Sequence, residues 1–289
     1  MCYSSYPPIS FALGMFSAFG SPAFLALVFD DGAAVSLHSI RGLMAKLNIR
    51  INAATLFDVL QSWDQNFQEL QKLVAVLAYD DEAKGYRGNF FEVESVVPNP
   101  ILHNPRQVFR VNGEQVYSLP ATVIGFPSYI FRLPPDIKEA RPNLALAAVV
   151  GSIKNQANEG QADSIIAGYI LALELGLTGK PDLKYNGYPG TVMLGPLFIP
   201  YAFSNNFVNQ EFSMAMMSNK IQSISIEGWN HRIDREISDL SNKTLLLPGD
   251  IILYADTQSP DRNFPSISEV DVIEASNMIF GKLVVNTKI

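Results

Sequence analysis

Two apolar runs near the middle of the chain constrain its fold most strongly. Residues 143–150 (NLALAAVV) and 168–175 (GYILALEL) are each typical of a buried strand. A short segment with helical character, 161–167, lies between them, and a glycine-rich loop is predicted to end at 193–196. We interpret the whole stretch 143–196 as the floor of a small-molecule site.

Short strands with few helices are predicted on both sides of this stretch. The turn signal Asp30-Asp31-Gly32 separates the apolar runs 23–29 and 33–37, which can pair antiparallel. Apolar residues at helical spacing predict an amphipathic core helix over 56–76, and Thr55 followed by Asp58 resembles a helix start. This pattern favours an α+β, strand-rich fold over a parallel doubly wound sheet.

Prolines divide the chain into two predicted domains. Pro98, Pro100 and Pro105 mark a linker. We expect a small N-terminal α+β domain over residues 1–98 and a larger C-terminal domain over 99–289.

The charge and cysteine content limit the classes of partner and the compartment. The net charge of -7 and the pI near 5.0 argue against nucleic acid or an anionic membrane as the main partner. Cys2 is the only cysteine, so an internal disulfide is excluded and a reducing, cytoplasmic compartment is expected. Residues 11–29 carry no charge, as a membrane span would. Because Gly20-Ser21-Pro22 interrupts them with a turn signal, we predict a hairpin rather than a membrane span.

Several short motifs, in their order along the chain, resemble the fumarylacetoacetate hydrolase superfamily. They are Leu146–Gly151, Ala162–Tyr169, Leu194–Pro196, Ser241–Ile252 and Gly281–Leu283. The resemblance implies a mixed β-sandwich roll with a small N-terminal domain, and usually a homodimer. It also implies enzymes that cleave carbon–carbon bonds in 1,3-dicarbonyl acids, decarboxylate keto acids, or hydrate and isomerise enols, most of them with Mg²⁺ or another divalent ion.

The carboxylates that the resemblance implies are mostly missing. Its Glu-x-Glu pair falls on Asn143 and Ala145, and its Asp falls on Glu174. Residues 140–158 contain no acid, so a shift in alignment restores no pair. Because Mg²⁺ needs several converging oxygen ligands, we expect a degenerate metal site and no cofactor, with Mg²⁺ or Mn²⁺ as the less favoured alternative.

The general base of the resembled hydrolases is also missing. Their His-Glu pair would lie near residues 112–114, and no histidine occurs between Asn104 and Asn230. Glu114 remains as a candidate acid, with a solvated turn residue as the alternative.

The remaining candidates are polar groups around the predicted floor. Glu174 is a candidate acid or base, or else one member of a structural salt bridge. Tyrosine hydroxyls and amides can donate to an enolate oxygen, although the tyrosines also fit a role as core aromatics. We predict catalytic roles for Glu174, Tyr188 and Asn186, and substrate binding by Asn143, Tyr169, Tyr185, Arg232 and Glu114.

Three functions are compatible with this sequence. The first is a metal-independent tailoring enzyme, of a kind used in secondary metabolism, acting on an enolisable and largely apolar small molecule by cyclisation, isomerisation or decarboxylation. The second is a non-catalytic ligand-binding paralogue. The third is a Mg²⁺-dependent hydrolase of 1,3-dicarbonyl acids. We favour the first.

Overall fold

The chain is built mainly from strands. A computed structural model describes residues 9–18, 20–51, 54–112, 115–125, 130–133, 137, 139–178, 187–206, 210–217, 219–225, 229–255, 267 and 270–288. The strands are β1 (Ala12–Ser17), β2 (Phe24–Val28), β3 (Ala33–Ser36), β4 (Phe90–Glu92), β5 (Val97–Pro98), β6 (Val108–Asn112), β7 (Gln115–Leu119), β8 (Ile124–Gly125), β9 (Ile130–Arg132), β10 (Glu139–Val150), β11 (Ile166–Thr178), β12 (Val192–Pro200), β13 (Glu211–Met216), β14 (Asn219–Ser225), β15 (Ile251–Ala255), β16 (Val270–Asn277) and β17 (Gly281–Lys288). The α-helices are α1 (Arg41–Lys46), α2 (Leu56–Leu60), α3 (Trp63–Tyr79) and α4 (Trp229–Ser241). The prediction of an α+β, strand-rich fold is confirmed.

The antiparallel pair β10–β11 forms the centre of the larger sheet. The two strands pair in unbroken register from Glu139 opposite Thr178 to Val149 opposite Gly168. Residues 144–150 of β10 are all buried, which means that both faces of the sheet are covered there. The two strands predicted from the apolar runs are therefore confirmed.

The larger sheet continues on both sides of this pair. Its order is β4-β3-β2-β1-β12-β11-β10-β15-β6-β7, with β5 joined to β1 and β8 joined to β12. Leu13 of β1 pairs with Phe198 of β12, so the N-terminal strands belong to the same sheet as the central ones. The division of the chain at residue 98 stays a prediction.

A second sheet lies against the central strands. Its order is β14-β13-β16-β17-β9, and β17 pairs in parallel with β9 while its other pairs are antiparallel. Strands β13, β16 and β17 contact β10, β11 and β12. The second sheet thereby brings Gln222 of β14 into contact with Asn143 and Leu144 of β10.

The predicted loop ending at 193–196 is wrong, because these residues lie inside β12. Every residue of β12 is buried. The register with β11 shifts between Ile170 and Ala172, which places Gly195 and Pro196 in an irregular part of the strand. A Cβ atom on Gly195 would lie 3.1 Å from the carbonyl oxygen of Leu171. The Gly-Pro pair therefore marks a bulge with a close backbone approach rather than a loop.

The predicted helix over 56–76 is found as two helices, α2 and α3. The helix start is confirmed, because the Thr55 hydroxyl accepts a hydrogen bond from the Asp58 amide and the Asp58 carboxylate accepts one from the Thr55 amide. The chain breaks after Leu60 and resumes at Trp63, whose ring meets the edge of Phe198 in the sheet. The helical pair thus packs on the central strands.

The apolar run 11–29 forms the antiparallel hairpin β1–β2, as predicted. Among the described residues, none of the helices is both long and apolar enough to cross a membrane.

Replacing Gly249 by alanine is expected to destabilise the fold more than the same change at Gly160. Both glycines have positive φ, +90° and +83°. A Cβ atom at residue 249 would lie 2.7 Å from Cε2 of Phe57, whereas nothing lies within 4 Å at residue 160. Gly160→Ala should cost about 1–2 kcal/mol from backbone strain alone. Gly249→Ala should cost about 1–3 kcal/mol more through overpacking. Urea unfolding measures both, and equal losses would contradict the packing argument.

Candidate functional site

A buried ion pair between Arg110 and Glu174 is the central feature of the predicted site. Nε of Arg110, on β6, lies 2.9 Å from Oε1 of Glu174, on β11. Their side chains are only 17% and 11% exposed. At this burial the two charges depend on each other, because an unpaired charge would be costly.

The register of the sheet places both charges on one face. Glu174 lies opposite Asn143, and Ala172 lies opposite Ala145 on the same face. Arg110 lies opposite Leu253, which in turn lies opposite Ala147. Residues 143, 145 and 147 alternate to one face of β10, so Arg110 shares that face with Glu174.

The Arg110 side chain reaches Glu174 across two intervening strands. The strands β6 and β11 are three strand spacings apart, about 14 Å in a flat sheet. A contact over this distance requires the sheet to curl around the face that carries the pair. On that face, Ala145 and Ala147 of β10 present only methyl groups, and Leu253 of β15 lies between Arg110 and Ala147.

Asn143 is held by a residue of the second sheet. Nε2 of Gln222, on β14, donates to Oδ1 of Asn143 at 3.4 Å. Oε1 of Gln222 accepts from the backbone amide of Leu144 at 3.0 Å. Gln222 is buried, so this pair of hydrogen bonds fixes the β10 backbone at Leu144 and the Asn143 carboxamide together.

The Glu174 carboxyl is shifted toward its protonated form. Burial raises its pKa above the ordinary value, and the smaller opposing effects of the Arg110 charge and hydrogen bond lower it. A carboxyl whose pKa moves toward neutrality is suited to take up and release a proton.

Tyr169 does not join this cluster. It is five positions from Glu174 on a regularly paired strand, so its side chain projects from the opposite face of β11. Its ring packs against Tyr201, with 6.0 Å between centroids. Burial raises the pKa of the Tyr169 hydroxyl, and nearby Tyr201 and Asp234 raise it further. The substrate-binding role predicted for Tyr169 is separate in space from the Glu174 cluster.

Tyr188 lies in the turn that leads into β12. Its carbonyl oxygen accepts hydrogen bonds from the side chain and the backbone of Thr191. The next residue, Val192, lies opposite Glu174. Tyr188 therefore belongs to the end of the sheet where the ion pair lies, and its catalytic role stays a prediction.

The other predicted site residues cannot be placed around this cluster. Tyr185, Asn186 and Glu114 lie outside the described residues. Arg232 lies in α4, but its side chain is not among those described. Their roles stay predictions, as does the homodimer.

Comparison with known proteins identifies the family. The sequence profile of the fumarylacetoacetate (FAA) hydrolase C-terminal domain matches residues 82–283, which is more than half of the chain. The chain belongs to this family. No curated protein sequence matches it.

Solved structures support the FAA hydrolase fold over nearly the whole chain. Maleylpyruvate hydrolase from Sphingobium sp. SYK-6 matches with a TM-score of 0.72 and 16% identity, covering 96% of this chain and 99% of that one. Its complex with manganese(II) and pyruvate matches with a TM-score of 0.70 and 16% identity, covering 96% and 98%. A probable 2-hydroxyhepta-2,4-diene-1,7-dioate isomerase from Mycobacterium abscessus matches with a TM-score of 0.64 and 19% identity, covering 96% and 98%.

The described residues do not fit the divalent ion found in one of these FAA hydrolase-like structures. Of the carboxylates that the structure describes, Glu174 is the one in the Arg110 cluster, and it already pairs with a cation. The amide oxygen of Asn143 already accepts from Gln222. The described part of the chain contains no group of three or more His, Cys, Asp or Glu side chains placed to hold a metal. A hard cation would therefore meet a guanidinium where it needs several oxygen ligands.

Arg110 and Gln222 were missed by sequence reasoning. Arg110 offered a signal, since it is a lone charge within the apolar strand sequence Val-Phe-Arg-Val, and a buried arginine needs an anionic partner. The sequence around Gln222 gave no such signal, because its strand has the polar composition that is also found in solvent-exposed strands.

Arg110→Met is expected to destabilise the protein, and a second change at Glu174 should restore most of the loss. The single variant leaves the Glu174 carboxyl buried without its cation, at a cost of about 3–5 kcal/mol. Arg110→Met with Glu174→Gln removes both charges, and such replacements are often close to neutral. Urea unfolding at neutral pH gives the free energies. If the double variant is no more stable than Arg110→Met alone, the contributions of residues 110 and 174 to stability are not coupled.

The pH dependence of stability should reveal the raised pKa of Glu174. The folded protein retains a proton at Glu174 just above the ordinary pKa of 4.5, whereas the unfolded chain has released it. The free energy of unfolding of wild type, relative to Glu174→Gln, should therefore fall as pH rises from 4.5 through the folded-state pKa. Unfolding curves at a series of pH values measure this difference. A difference that grows with pH would show that Arg110 outweighs burial.

Proposed function

We propose that this FAA hydrolase family member is a metal-independent enzyme that acts on an enolisable, largely apolar small molecule. The reaction would be an isomerisation, a decarboxylation or a cyclisation that passes through an enolate. The observation that carries this proposal is the buried Arg110–Glu174 pair beside Asn143, at the position where the resemblance implies a cage of carboxylates.

The cluster contains the groups that enolisation needs. The Glu174 carboxylate removes a proton from the carbon next to a carbonyl, and the electron pair of the broken C–H bond forms the C=C bond. The carbonyl oxygen then carries the negative charge, which the Arg110 cation and an amide N–H of Asn143 stabilise. Where the enolate is conjugated with a further C=C bond of the substrate, return of the proton from Glu174 to the far carbon of the dienolate moves the double bond and completes an isomerisation.

The similar structures support a small organic acid or a related carbonyl compound as substrate. They are named as a hydrolase of maleylpyruvate and as an isomerase of an unsaturated dioate, and one holds pyruvate. At 16–19% identity they show the fold alone, so the substrate class is part of the proposal.

A non-catalytic ligand-binding protein is the second candidate. The observation that favours it is that Glu174 is both buried and neutralised by Arg110, which is also how a purely structural ion pair is arranged. Under this alternative the protein binds small molecules and does not accelerate proton exchange on them.

A metal-dependent hydrolase is the third candidate, supported by the manganese(II) in one similar structure. It requires ligands beyond the Arg110 cluster. Finding one equivalent of Mg²⁺ or Mn²⁺ in the purified protein by elemental analysis would favour it.

The proposed chemistry predicts proton exchange that depends on Glu174 and not on metal. Wild type in D₂O should accelerate hydrogen–deuterium exchange at C3 of pyruvate and of 2-oxohexanoate, measured by ¹H NMR. Glu174→Gln should lower the exchange rate by about 10²–10⁴-fold, the range for loss of a general base. Addition of a chelator should leave the wild-type rate unchanged.

Glu139→Gln is the matched control for the exchange experiment. Glu139 lies on the same strand pair and forms an ion pair with Arg141 at 3.2 Å, but its side chain is 44% exposed. This variant should keep the wild-type rate. Folding of both variants is checked by circular dichroism. Exchange that survives in Glu174→Gln, or that a chelator abolishes, would contradict the proposed mechanism.

A further inference from the structure

A cavity between the two sheets plays no part in the proposed mechanism. Its volume is about 980 Å³, within the range of about 300–1,000 Å³ that is usual for small-molecule sites. The larger sheet and the segment after β12 form its floor, and the turn between β16 and β17 forms its other wall. We call it the inter-sheet cavity, and its floor consists of Phe11, Ala12, Val28, Leu197, Ile199 and Phe203.

The inter-sheet cavity is separate from the Arg110–Glu174 pair. Val192 of β12 lies opposite Glu174, whereas Leu197 and Ile199, which line the cavity, lie further along the same strand. At about 3.3 Å for each residue of a strand, the separation is about 16–23 Å. A ligand in the cavity therefore does not contact the groups to which we assign proton transfer.

The floor of the inter-sheet cavity offers only apolar contacts. All six of its side chains are hydrocarbon, and each is 9% exposed or less. A polar group of a ligand would lose water there without gaining a side-chain hydrogen bond, which is unfavourable. An apolar group gains free energy by leaving water. The floor thus selects a ligand with an apolar body.

An exposed methionine stands beside the cavity. Met278 lines it and is 93% exposed, although methionine is among the residues most often buried. Its turn is well ordered by hydrogen bonds, because Oδ1 of Asn277 accepts from the amides of Ile279 and Phe280. A methionine side chain adapts to the apolar surface of a bound molecule. Met278 is therefore placed to cover an apolar ligand, and this observation does not depend on any charge.

Four carboxylates form the rim of the cavity on the side of the larger sheet. Backbone contacts bring their two segments together, because Glu92 of β4 lies opposite Ala33 and the Val93 amide donates to the carbonyl oxygen of Gly32. Among the described residues, no cation forms an ion pair with any member of this acidic rim. Its members are Asp30, Asp31, Glu92 and Glu94.

The rest of the cavity does not offset the charge of the acidic rim. Lys282 is the only cation among the described residues that line the cavity, and it belongs to the opposite wall. Its Nζ lies 2.7 Å from Oε1 of Glu274, so its charge is already paired. A cleft lined by charges of one sign concentrates ions of the opposite sign. The rim therefore attracts a cationic group and repels an anionic one.

We infer that the inter-sheet cavity binds an organic cation with an apolar body, such as an arylalkyl amine. The floor and Met278 contact the body, and the acidic rim attracts the charged head. A wholly polar cation would leave the floor uncovered, and an apolar anion would meet the negative rim. This site goes beyond the proposed function and does not depend on it.

The test compares three probes that share one apolar body and differ in the head group. They are 4-phenylbutylamine, 4-phenylbutanol and 4-phenylbutyrate, which are cationic, neutral and anionic at pH 7. Calorimetry or NMR titration gives their dissociation constants. At about 0.05 M salt, wild type should bind the amine at least about fivefold more tightly than the alcohol, and the carboxylate most weakly. About 0.5 M salt should remove most of the preference, because these charges are exposed.

Two pairs of substitutions test the role of the acidic rim. Glu92→Gln combined with Glu94→Gln removes two of its four charges and should reduce the preference for the amine to about twofold. Glu159→Gln combined with Asp239→Asn is the matched control. It removes two exposed carboxylates elsewhere, with the same change in net charge, and should keep the full preference. Circular dichroism checks that both variants fold.

A methionine substitution tests where the probes bind. Met278→Gln removes an apolar contact from a side chain that is already exposed, so it should weaken the amine and the alcohol alike, by about two- to fivefold. Met217→Gln is the control, because Met217 is 63% exposed and does not line the cavity. In protein labelled with ¹³C at the methionine methyl groups, the amine should also shift the Met278 signal.

Four results would overturn the inference. They are failure of the amine to bind, equal binding of the amine and the alcohol at low salt, an unchanged preference in the rim variant, and unchanged affinities in Met278→Gln. If no probe binds and the Met278 signal shifts with protein concentration, a second copy of the chain covers the cavity instead. Glu174→Gln should bind the amine as wild type does, so loss of proton exchange in that variant leaves this test unaffected.

Discussion

The ladder between β10 and β11 is the constraint on which the rest of the molecule depends. Its unbroken antiparallel register fixes which side chains share a face, and both faces are buried at its centre. A slip by one residue would move every side chain to the other face. Glu174 and Asn143 are neighbours because of this register, and the outer strands of the sheet extend from it. The position of the site is therefore a consequence of backbone pairing, before any side-chain chemistry is considered.

The Arg110–Glu174 pair provides a different electrostatic interaction at this position from the one that a bound metal ion would provide. A divalent ion needs several anionic oxygens around it, whereas a guanidinium needs one carboxylate and retains directional donors. Asn143 and Ala145 are neutral where the FAA hydrolase resemblance implies carboxylates, and Arg110 supplies a cation that is covalently part of the chain. The cluster is nevertheless balanced in charge, because its one described carboxylate pairs with one guanidinium.

Local patterns predicted the strands well and the long-range contacts poorly. The apolar runs 143–150 and 168–175 and the Thr55 helix start depend on neighbouring residues, and all were recognisable. The partner of Glu174 lies on a strand far away in sequence, and the curl of the sheet that brings Arg110 to it leaves no local pattern. Gly195 and Pro196 suggested a loop because the bulge that accommodates them is defined by pairing with β11. The local sequence does not show that pairing. The separation of Tyr169 from Glu174 was available from the alternation of side chains along one strand.

Gln222 connects the two sheets in a way that sets the chemical character of residue 143. Its carboxamide oxygen is committed to the Leu144 amide, so its nitrogen must face Asn143. That fixes the orientation of the Asn143 amide, with its oxygen toward the second sheet and its N–H groups turned away from Gln222. Gln222 of the second sheet thus determines whether Asn143 presents a hydrogen-bond donor or an acceptor to a ligand. The group that Asn143 presents on this face therefore depends on the hydrogen bond between Gln222 and the Leu144 amide. Exchanging a donor for an acceptor at residue 143 would require a matching change at residue 222.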